Sequence, residues 1–265
     1  MRSDVVAKTA ENWSNNGMGK FAGGPGSAMQ AFLSRLAFQD YQFFFDDFDG
    51  DAINLDYWAL NSDTNAADFV HNAQANGVVR GATSANDNEA TSMLGPAIYF
   101  GDRNCWMEVR FKIDTITNVQ FEVGFVDAVT DKTLEVVTDV DTPAVGNGAG
   151  DVAVIHMDTD QTLTTAAFVT EGSTASQDPT ATTLDPAFTP TAATYHTVRI
   201  GVAGNVPFFL LDGSEYGTEA HGNAVASQIE GGTALAPWIF VMARSAADRL
   251  FDVDYVAFGQ DRATR

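Results

Sequence analysis

The strongest constraint on how this chain folds is an alternation of apolar and polar side chains between residues 105 and 126. In the first run the apolar positions, which alternate with polar or amphipathic ones, are Cys105, Met107, Val109, Phe111 and Ile113. In the second run they are Val119, Phe121, Val123 and Phe125. Side chains of a β-strand point alternately to opposite faces, so each run predicts a strand with one buried and one wetter face. The short connection Ile116-Thr117-Asn118 predicts that the two strands form an antiparallel pair.

Similar runs predict seven more strands along the rest of the chain. They are Ala97–Phe100, Val152–Met157, Ala166–Thr170, Tyr195–Val202, Pro207–Leu211, Trp238–Ala243 and Leu250–Phe258. Turns rich in Gly, Asn, Asp and Pro separate them, which favours an all-β sandwich or jelly roll over an α/β fold. We expect this sandwich to occupy residues 41–265, with surface loops at 140–150 and 171–194.

Residues 1–40 are predicted to form an N-terminal arm with one short helix at 28–38. A glycine-rich stretch at 19–27 precedes the helix, and Ser27 is placed to cap it. The apolar residues of the helix recur at helical spacing and are Met29, Phe32, Leu33 and Leu36. Because so short a helix is marginal alone, we expect this stripe to dock on the sandwich or on a neighbouring subunit of an assembly.

The charge of the chain restricts its partners. It has 35 acidic and 14 basic residues, a formal net charge of −21. Without a cluster of Lys and Arg, nucleic acid is not an expected partner, and neither is an anionic membrane surface. No run approaches the ~20 apolar residues needed to span a bilayer. The acidic residues are interpreted mainly as a solvated surface, with repulsion of anionic polymers or cation binding as the functional alternatives.

Four segments, in chain order, resemble the concanavalin A-like lectin/laminin-G-like superfamily. They are Asp46–Trp58 with its Asp-Phe-Asp-Gly turn, Trp106–Asp127, Tyr195–Gly213 with its Asp-Gly turn, and Leu250–Phe258 as a last strand that returns beside the first. The resemblance covers about residues 44–262. It implies a concanavalin A-like two-sheet antiparallel jelly-roll sandwich.

Within that superfamily the chain looks most like virion structural proteins of tailed bacteriophages. The resemblance implies a capsid decoration or head-fibre protein on the virion surface, with the major capsid protein or other virion subunits as partners, and a homo-oligomer such as a trimer. Met1-Arg2-Ser3-Asp4 leads into polar sequence, so we expect synthesis in a host cytoplasm without a signal peptide. The alternatives are a carbohydrate-binding, lectin-like module that adheres to host-surface glycans, and a divergent glycoside hydrolase.

The sequence lacks the set of carboxylates that the hydrolase alternative requires. Glycosidases of this fold resemble one another in a Glu-x-Asp-x-x-Glu strand whose carboxylates share one face, and no such triplet occurs here. Glu122 with Asp127, and Glu135 with Asp139, have the wrong spacing. The histidines are scattered, at His71, His156, His196 and His221, and Cys105 is interpreted as a buried structural thiol. We therefore expect no enzymatic activity and no required cofactor.

Two groups of residues remain as candidate ligand sites. Asp47, Asp49 and Asp51 offer alternating carboxylates for Ca²⁺, against the interpretation as a solvated turn. Asp158 and Asp160 are interpreted as turn residues. The aromatic residues that could stack on sugars or fill the core are Trp58, Trp106, Trp238, Tyr99, Tyr195 and Tyr216. Trp106 is the strongest stacking candidate because alternation places it opposite the core face of its strand.

Overall fold

The computed structural model describes residues 41–262 apart from 51, 73–76, 140–143, 162–164, 173–181 and 217–228. The predicted helix with Met29, Phe32, Leu33 and Leu36, together with Asp51 and His221, lies outside the described residues. The strands are β1 (Tyr41–Asp46), β2 (Ala59–Ser62), β3 (Ala67–Asn72), β4 (Val78–Ala82), β5 (Ala90–Leu94), β6 (Tyr99–Phe100), β7 (Trp106–Ile113), β8 (Val119–Val126), β9 (Val137–Asp139), β10 (Ala144–Val145), β11 (Val152–Asp158), β12 (Ala166–Glu171), β13 (Thr182–Phe188), β14 (Tyr195–Ala203), β15 (Val206–Leu211), β16 (Ser214–Tyr216), β17 (Ala234–Ala243) and β18 (Leu250–Asp261). A 3-10 turn at Gly101–Arg103 follows β6.

The strands form two large antiparallel sheets, so the all-β jelly-roll prediction is confirmed. Sheet A has the order β16-β15-β14-β7-β18-β4-β3, and β1 pairs with the last part of β18. Sheet B has the order β13-β12-β11-β8-β17-β5-β2, and β6 pairs with the first part of β17. Strands β9 and β10 form a small separate pair. The described residues contain no helix long and apolar enough to cross a membrane.

The hydrophobic core lies between the two sheets and is filled mainly by aromatic rings. Phe111 of sheet A stacks on Phe251 with ring centroids 5.2 Å apart, and Phe121 of sheet B lies 5.4 Å from Phe111. All three rings are fully buried. Burial of a side chain of this size contributes about 2–3 kcal/mol each, so these rings hold the two layers together.

The predicted pairing of the two central strands is wrong. Strand β7 lies in sheet A between β14 and β18, whereas β8 lies in sheet B between β11 and β17. The connection between them crosses from one sheet to the other, with Asn118 in a left-handed conformation at φ 52°. Both strands still turn their apolar residues to a common core, because facing sheets satisfy the same alternation as neighbouring strands.

Strands that the sequence analysis missed are the other difference from the prediction. Strand β13 lies within 171–194, which was expected to be a loop, and it contains Pro186 as edge strands allow. Strands β2 to β5 were not predicted because they are short and mixed in polarity. By contrast, the Asp212-Gly213 turn and the return of β18 beside β1 are confirmed. Asp212 and Gly213 have φ of 48° and 83°, as a type I′ hairpin turn requires.

Candidate functional site

The outer face of sheet B is covered by the protein's own chain. The cover segment, which we define as residues 127–139 and 144–149, packs on this face and forms a second apolar cluster with it. The fully buried members of that cluster include Val126, Val136, Val137, Val152, Val154, Trp238, Phe240 and Met242. Strand β8 is therefore buried on both faces, which corrects the expectation of a wetter second face.

Glu122 lies at the centre of this covered face and fastens the cover segment to the sheet. Its carboxylate accepts N–H bonds from Val136 at 3.0 Å and from Val137 at 2.8 Å. It also accepts the indole N–H of Trp238 at 2.7 Å, and His156 Nδ1 lies 3.3 Å away. The side chain is fully buried. Because each oxygen is already bonded and no solvent reaches it, Glu122 is not available to exchange protons with a substrate.

Asp158 is the second buried carboxylate on this face. Register places it opposite Gln120, one diagonal step from Glu122, so the two acids are near neighbours. Arg244 donates two hydrogen bonds to the Asp158 carboxylate, from Nε at 3.1 Å and from Nη2 at 2.7 Å. Asp158 is 1% exposed and ends β11, and besides binding Arg244 its carboxylate accepts the backbone N–H of Asp160 at 3.0 Å, so both residues take part in the turn that follows the strand. Neither carboxylate faces a cleft.

The described residues also hold no activated nucleophile. His196 Nδ1 lies 2.7 Å from Asp212, as in a catalytic dyad, but its Nε2 accepts the backbone N–H of Thr191 at 3.0 Å and cannot act as a base. Cys105 is buried, and burial raises the pKa of its thiol to about 12. The interpretation of Cys105 as a structural thiol is therefore confirmed.

The outer face of sheet A has a different character because no described segment covers it. Trp106 lies on this face and is partly exposed, as alternation predicted. Its indole N–H donates to the hydroxyl of Tyr41, and its ring centroid is 6.1 Å from that of Phe43. The Arg199 guanidinium carbon lies 5.1 Å from the centroid of the Trp106 ring, within the range of a cation–π contact.

Ion pairs occupy the remainder of the outer face of sheet A. Arg199 binds Glu108 at 2.6 Å, and Glu108 also accepts the hydroxyl of Tyr255 at 2.8 Å. Asp252, which is 1% exposed, accepts bonds from Arg80 at 2.6 Å and from Lys112 at 2.9 Å. The cations on this face are thus matched by acids, so the face is close to neutral on a strongly acidic protein.

The structure separates the aromatic candidates into two groups. Trp58, Trp238 and Tyr99 are buried at 1%, 0% and 1% exposure, so they are core rings that no sugar can reach. Tyr195 joins Trp106 on the outer face of sheet A, where Lys112 lies 4.8 Å from its ring centroid. The side chain of Tyr216 is not described.

The calcium candidates are only partly described. Burial, and then the neighbouring charge of Asp49, raises the pKa of Asp47, which shows that these two carboxyls are close together. Asp51 lies outside the described residues. Within the described ranges no three acidic, histidine or cysteine side chains converge as a metal site. The calcium site stays a prediction.

One open groove of about 700 Å³ lies where the cover segment meets strand β2. Its lining is mostly polar and includes Asn61, Asp68, Asp131 and Lys132. It lies beside the covered face, and the lining contains no aromatic ring.

Sequence reasoning did not find the cover segment or the role of Glu122. A signal was present, because β11 and β17 are apolar at both alternating positions, and such runs indicate strands buried on both faces. Those runs do not indicate which segment of the chain buries the second face.

No protein-family model and no curated protein matches the chain. Solved structures do resemble it. The carbohydrate recognition domain of Emp47p is 10% identical with a TM-score of 0.54, over 84% of this chain and 98% of that domain. The β-glucanase of Bacillus licheniformis is 15% identical with a TM-score of 0.52, over 82% and 97%. An immunostimulatory antigen and pseudo β-1,3-glucanase of Mycobacterium tuberculosis is 11% identical with a TM-score of 0.54, over 83% and 98%. At these identities the comparisons show a shared fold, that of concanavalin A-like jelly-roll proteins.

Proposed function

We propose that this chain is a non-catalytic structural component of a virus particle, a capsid decoration or head-fibre protein. The observation that carries the non-catalytic part is the closed outer face of sheet B. Of its two buried carboxylates, Glu122 accepts N–H bonds from the cover segment and from Trp238, and Asp158 is bound by Arg244. Among the described residues, the closed face leaves neither Glu122 nor Asp158 exposed in a cleft, which supports a binding role over bond cleavage.

Two sequence features support the particle assignment. The apolar stripe Met29, Phe32, Leu33 and Leu36 needs a partner surface, and in this proposal the major capsid protein or another virion subunit supplies it. The net charge of −21 keeps many copies soluble when they crowd on a particle surface. In this proposal the copies assemble as a homo-oligomer, a trimer, held at the virion surface by the arm.

The test is incorporation into particles. Particles of the virus that encodes the chain are purified on a density gradient and analysed by mass spectrometry for the wild type and for a Phe32→Ser, Leu33→Ser variant. We expect the wild type in the particles and at least a tenfold loss of the variant, with an unchanged melting temperature. The matched control is Gln30→Ala with Arg35→Ala, on the other face of the predicted helix, which should be incorporated normally.

Each outcome bears on a different part of the proposal. Absence of the wild-type chain from purified particles would overturn the particle assignment. Normal incorporation of the Phe32→Ser, Leu33→Ser variant would leave the assignment standing and overturn attachment through the arm.

The second candidate function is glycan binding. The observation that favours it is the open outer face of sheet A, where Trp106 is partly exposed beside the Arg199–Glu108 ion pair. A carbohydrate recognition domain is among the proteins that share the fold. This candidate is compatible with a place on a particle, because a surface protein can also adhere to glycans.

A further inference from the structure

A row of residues crosses five adjacent strands on the outer face of sheet A. Backbone pairing places in register, from β15 through β14, β7 and β18 to β1, the residues Phe208, Gly201, Trp106, Gly259 and Phe43. Directly paired residues point to the same face of a sheet. With strands about 4.8 Å apart, the row is about 19 Å long. We call it the Trp106 row.

Gly201 and Gly259 leave room for aromatic side chains to lie against the backbone of the row. A Cβ at Gly201 would overlap the ring of Phe208, so that ring lies directly over the glycine backbone. At Gly259 a Cβ would overlap the Tyr41 hydroxyl and the indole nitrogen of Trp106, so the edge of the indole and that hydroxyl occupy the space over this glycine. A ring that lies on a glycine has its inner face covered by backbone and turns its other face to solvent. Phe208 and Trp106 are partly exposed, and Phe43 is 39% exposed.

The next register row supplies the polar partners. In it Arg199 and Glu108 lie side by side on β14 and β7, and the two side chains are bonded at 2.6 and 2.9 Å. Their side chains are 31% and 21% exposed, so hydrogen-bonding atoms remain within reach of a ligand on the Trp106 row. The Tyr41 hydroxyl, which accepts the indole N–H of Trp106, lies over Gly259 in the row itself and adds a further polar group. Flat rings bordered by fixed charged pairs are complementary to sugars, which have apolar C–H faces and hydroxyl edges.

We propose that the Trp106 row binds an extended, uncharged polysaccharide chain laid across the strands of sheet A; this inference rests on the glycan-binding candidate. The ligand is uncharged because a net charge of −21 repels anionic polymers and the neighbouring cation Arg199 is already paired with Glu108. It is extended because the partly exposed rings of Phe208 and Trp106 lie two strands apart on the row, so a single sugar covers only one of them.

The test uses the full chain and pull-down on cellulose, chitin and an insoluble β-1,3-glucan, with calorimetry on soluble oligosaccharides of the polymer that binds. We expect binding of at least one neutral polymer, at least tenfold tighter binding of its hexasaccharide than of its disaccharide, and no binding of alginate. Trp106→Ala and Phe208→Ala should each weaken binding at least tenfold. Leu134→Ala removes an exposed apolar side chain from the cover segment on the other sheet and should leave binding unchanged.

Melting temperatures identify any variant that fails to fold, and the Phe208 variant keeps the test decisive if the Trp106 variant unfolds. Failure of the wild type to bind any neutral polymer would remove glycan binding altogether. If the wild type binds and both Trp106→Ala and Phe208→Ala bind equally well, glycan binding stands and the Trp106 row is not its site. A Trp106→Ala protein whose mass by light scattering falls to that of a smaller oligomer would assign the row to contact between copies and overturn the proposal.

Discussion

At the residue scale, Glu122 shows how one buried carboxylate can organise a whole face. Four N–H or ring-nitrogen groups surround it, from the backbone of Val136 and Val137 in the cover segment, from His156 in β11 and from Trp238 in β17. A buried charge is costly unless it is fully hydrogen-bonded. The positions of these four donors are therefore as constrained as the position of the Glu122 carboxylate.

Glu122→Gln is therefore expected to destabilise the protein. The amide would turn an NH₂ group towards N–H donors, which leaves at least one buried donor without an acceptor and costs about 2–4 kcal/mol. Urea unfolding at pH 7 measures the free energy of unfolding. Glu135→Gln is the matched control, because its carboxylate is 21% exposed, lies 3.5 Å from Arg244 and should contribute less than about 1 kcal/mol. Equal losses in the two variants would contradict the role given to Glu122.

The orientation of Trp106 could be predicted from the sequence, and that of Trp238 could not. Alternation with Met107 and Val109 fixes the face of Trp106 from local pattern alone. Trp238 also points away from the inter-sheet core, yet it is buried because the cover segment lies over it. Strand periodicity shows which side a residue faces, but only tertiary packing decides whether that side meets water.

At the element scale, Asp252 joins three strands of sheet A. It lies on β18 and binds Arg80 of β4 and Lys112 of β7. Burial raises the pKa of the Asp252 carboxyl, but the hydrogen bonds from Arg80 and Lys112 outweigh burial and hold the pKa below its ordinary value of 3.8. A carboxyl with a lowered pKa in the folded state stabilises the fold above its unfolded pKa and loses that contribution as the pH falls through the folded value.

We expect Asp252→Asn to be less stable than the wild type by about 2 kcal/mol at pH 7, because two charge-assisted hydrogen bonds are lost. Below about pH 4 the wild type loses the same contribution, so the two proteins should converge. Urea midpoints between pH 7 and pH 3 measure the difference. Asp56→Asn, at an exposed position, serves as control and should track the wild type throughout. A gap between Asp252→Asn and the wild type that does not change with pH would refute the assignment.

Half of the eighteen described strands could be predicted, but their partners could not. The nine predicted strands were recognised because their side chains alternate or form apolar runs, which is local information. The pairing of β7 with β14 and β18 depends on residues about 90 and 145 positions away. The short connection after β7 looks the same whether it turns within one sheet or crosses to the other, so the wrong pairing was the expected kind of error.

At the scale of the whole molecule, the two outer faces of the sandwich are unequal. The outer face of sheet B is covered by the cover segment, whereas no described segment covers the outer face of sheet A. Alternation in β7 predicted that Trp106 faces away from the core, but no pattern in the sequence indicated which segment covers sheet B. The carboxylates Glu122 and Asp158 are therefore shielded on one face, whereas Trp106 is accessible on the other.

The net charge of −21 should make the stability of the protein depend on salt. Repulsion among like charges opposes the compact state, and ions screen it over about 8 Å at physiological strength. We expect the melting temperature to rise by several degrees between low salt and about 0.5 M NaCl. Asp56→Asn, Asp87→Asn and Glu215→Gln, all at exposed positions, remove three charges together and should reduce this rise. A melting temperature that falls with salt would mean that the ion pairs outweigh the repulsion.

The pairing of β1 with β18 has a practical consequence for anyone who labels this protein. Tyr41 lies opposite Asp261, so the segment before the sandwich and the segment after it leave from one corner. A fluorescent reporter fused after residue 265 would lie beside the point where residues 1–40 join the sandwich. It would obstruct any partner that binds there. The hairpin turn at Asp212-Gly213, on the far edge of sheet A, is the better place for an inserted tag.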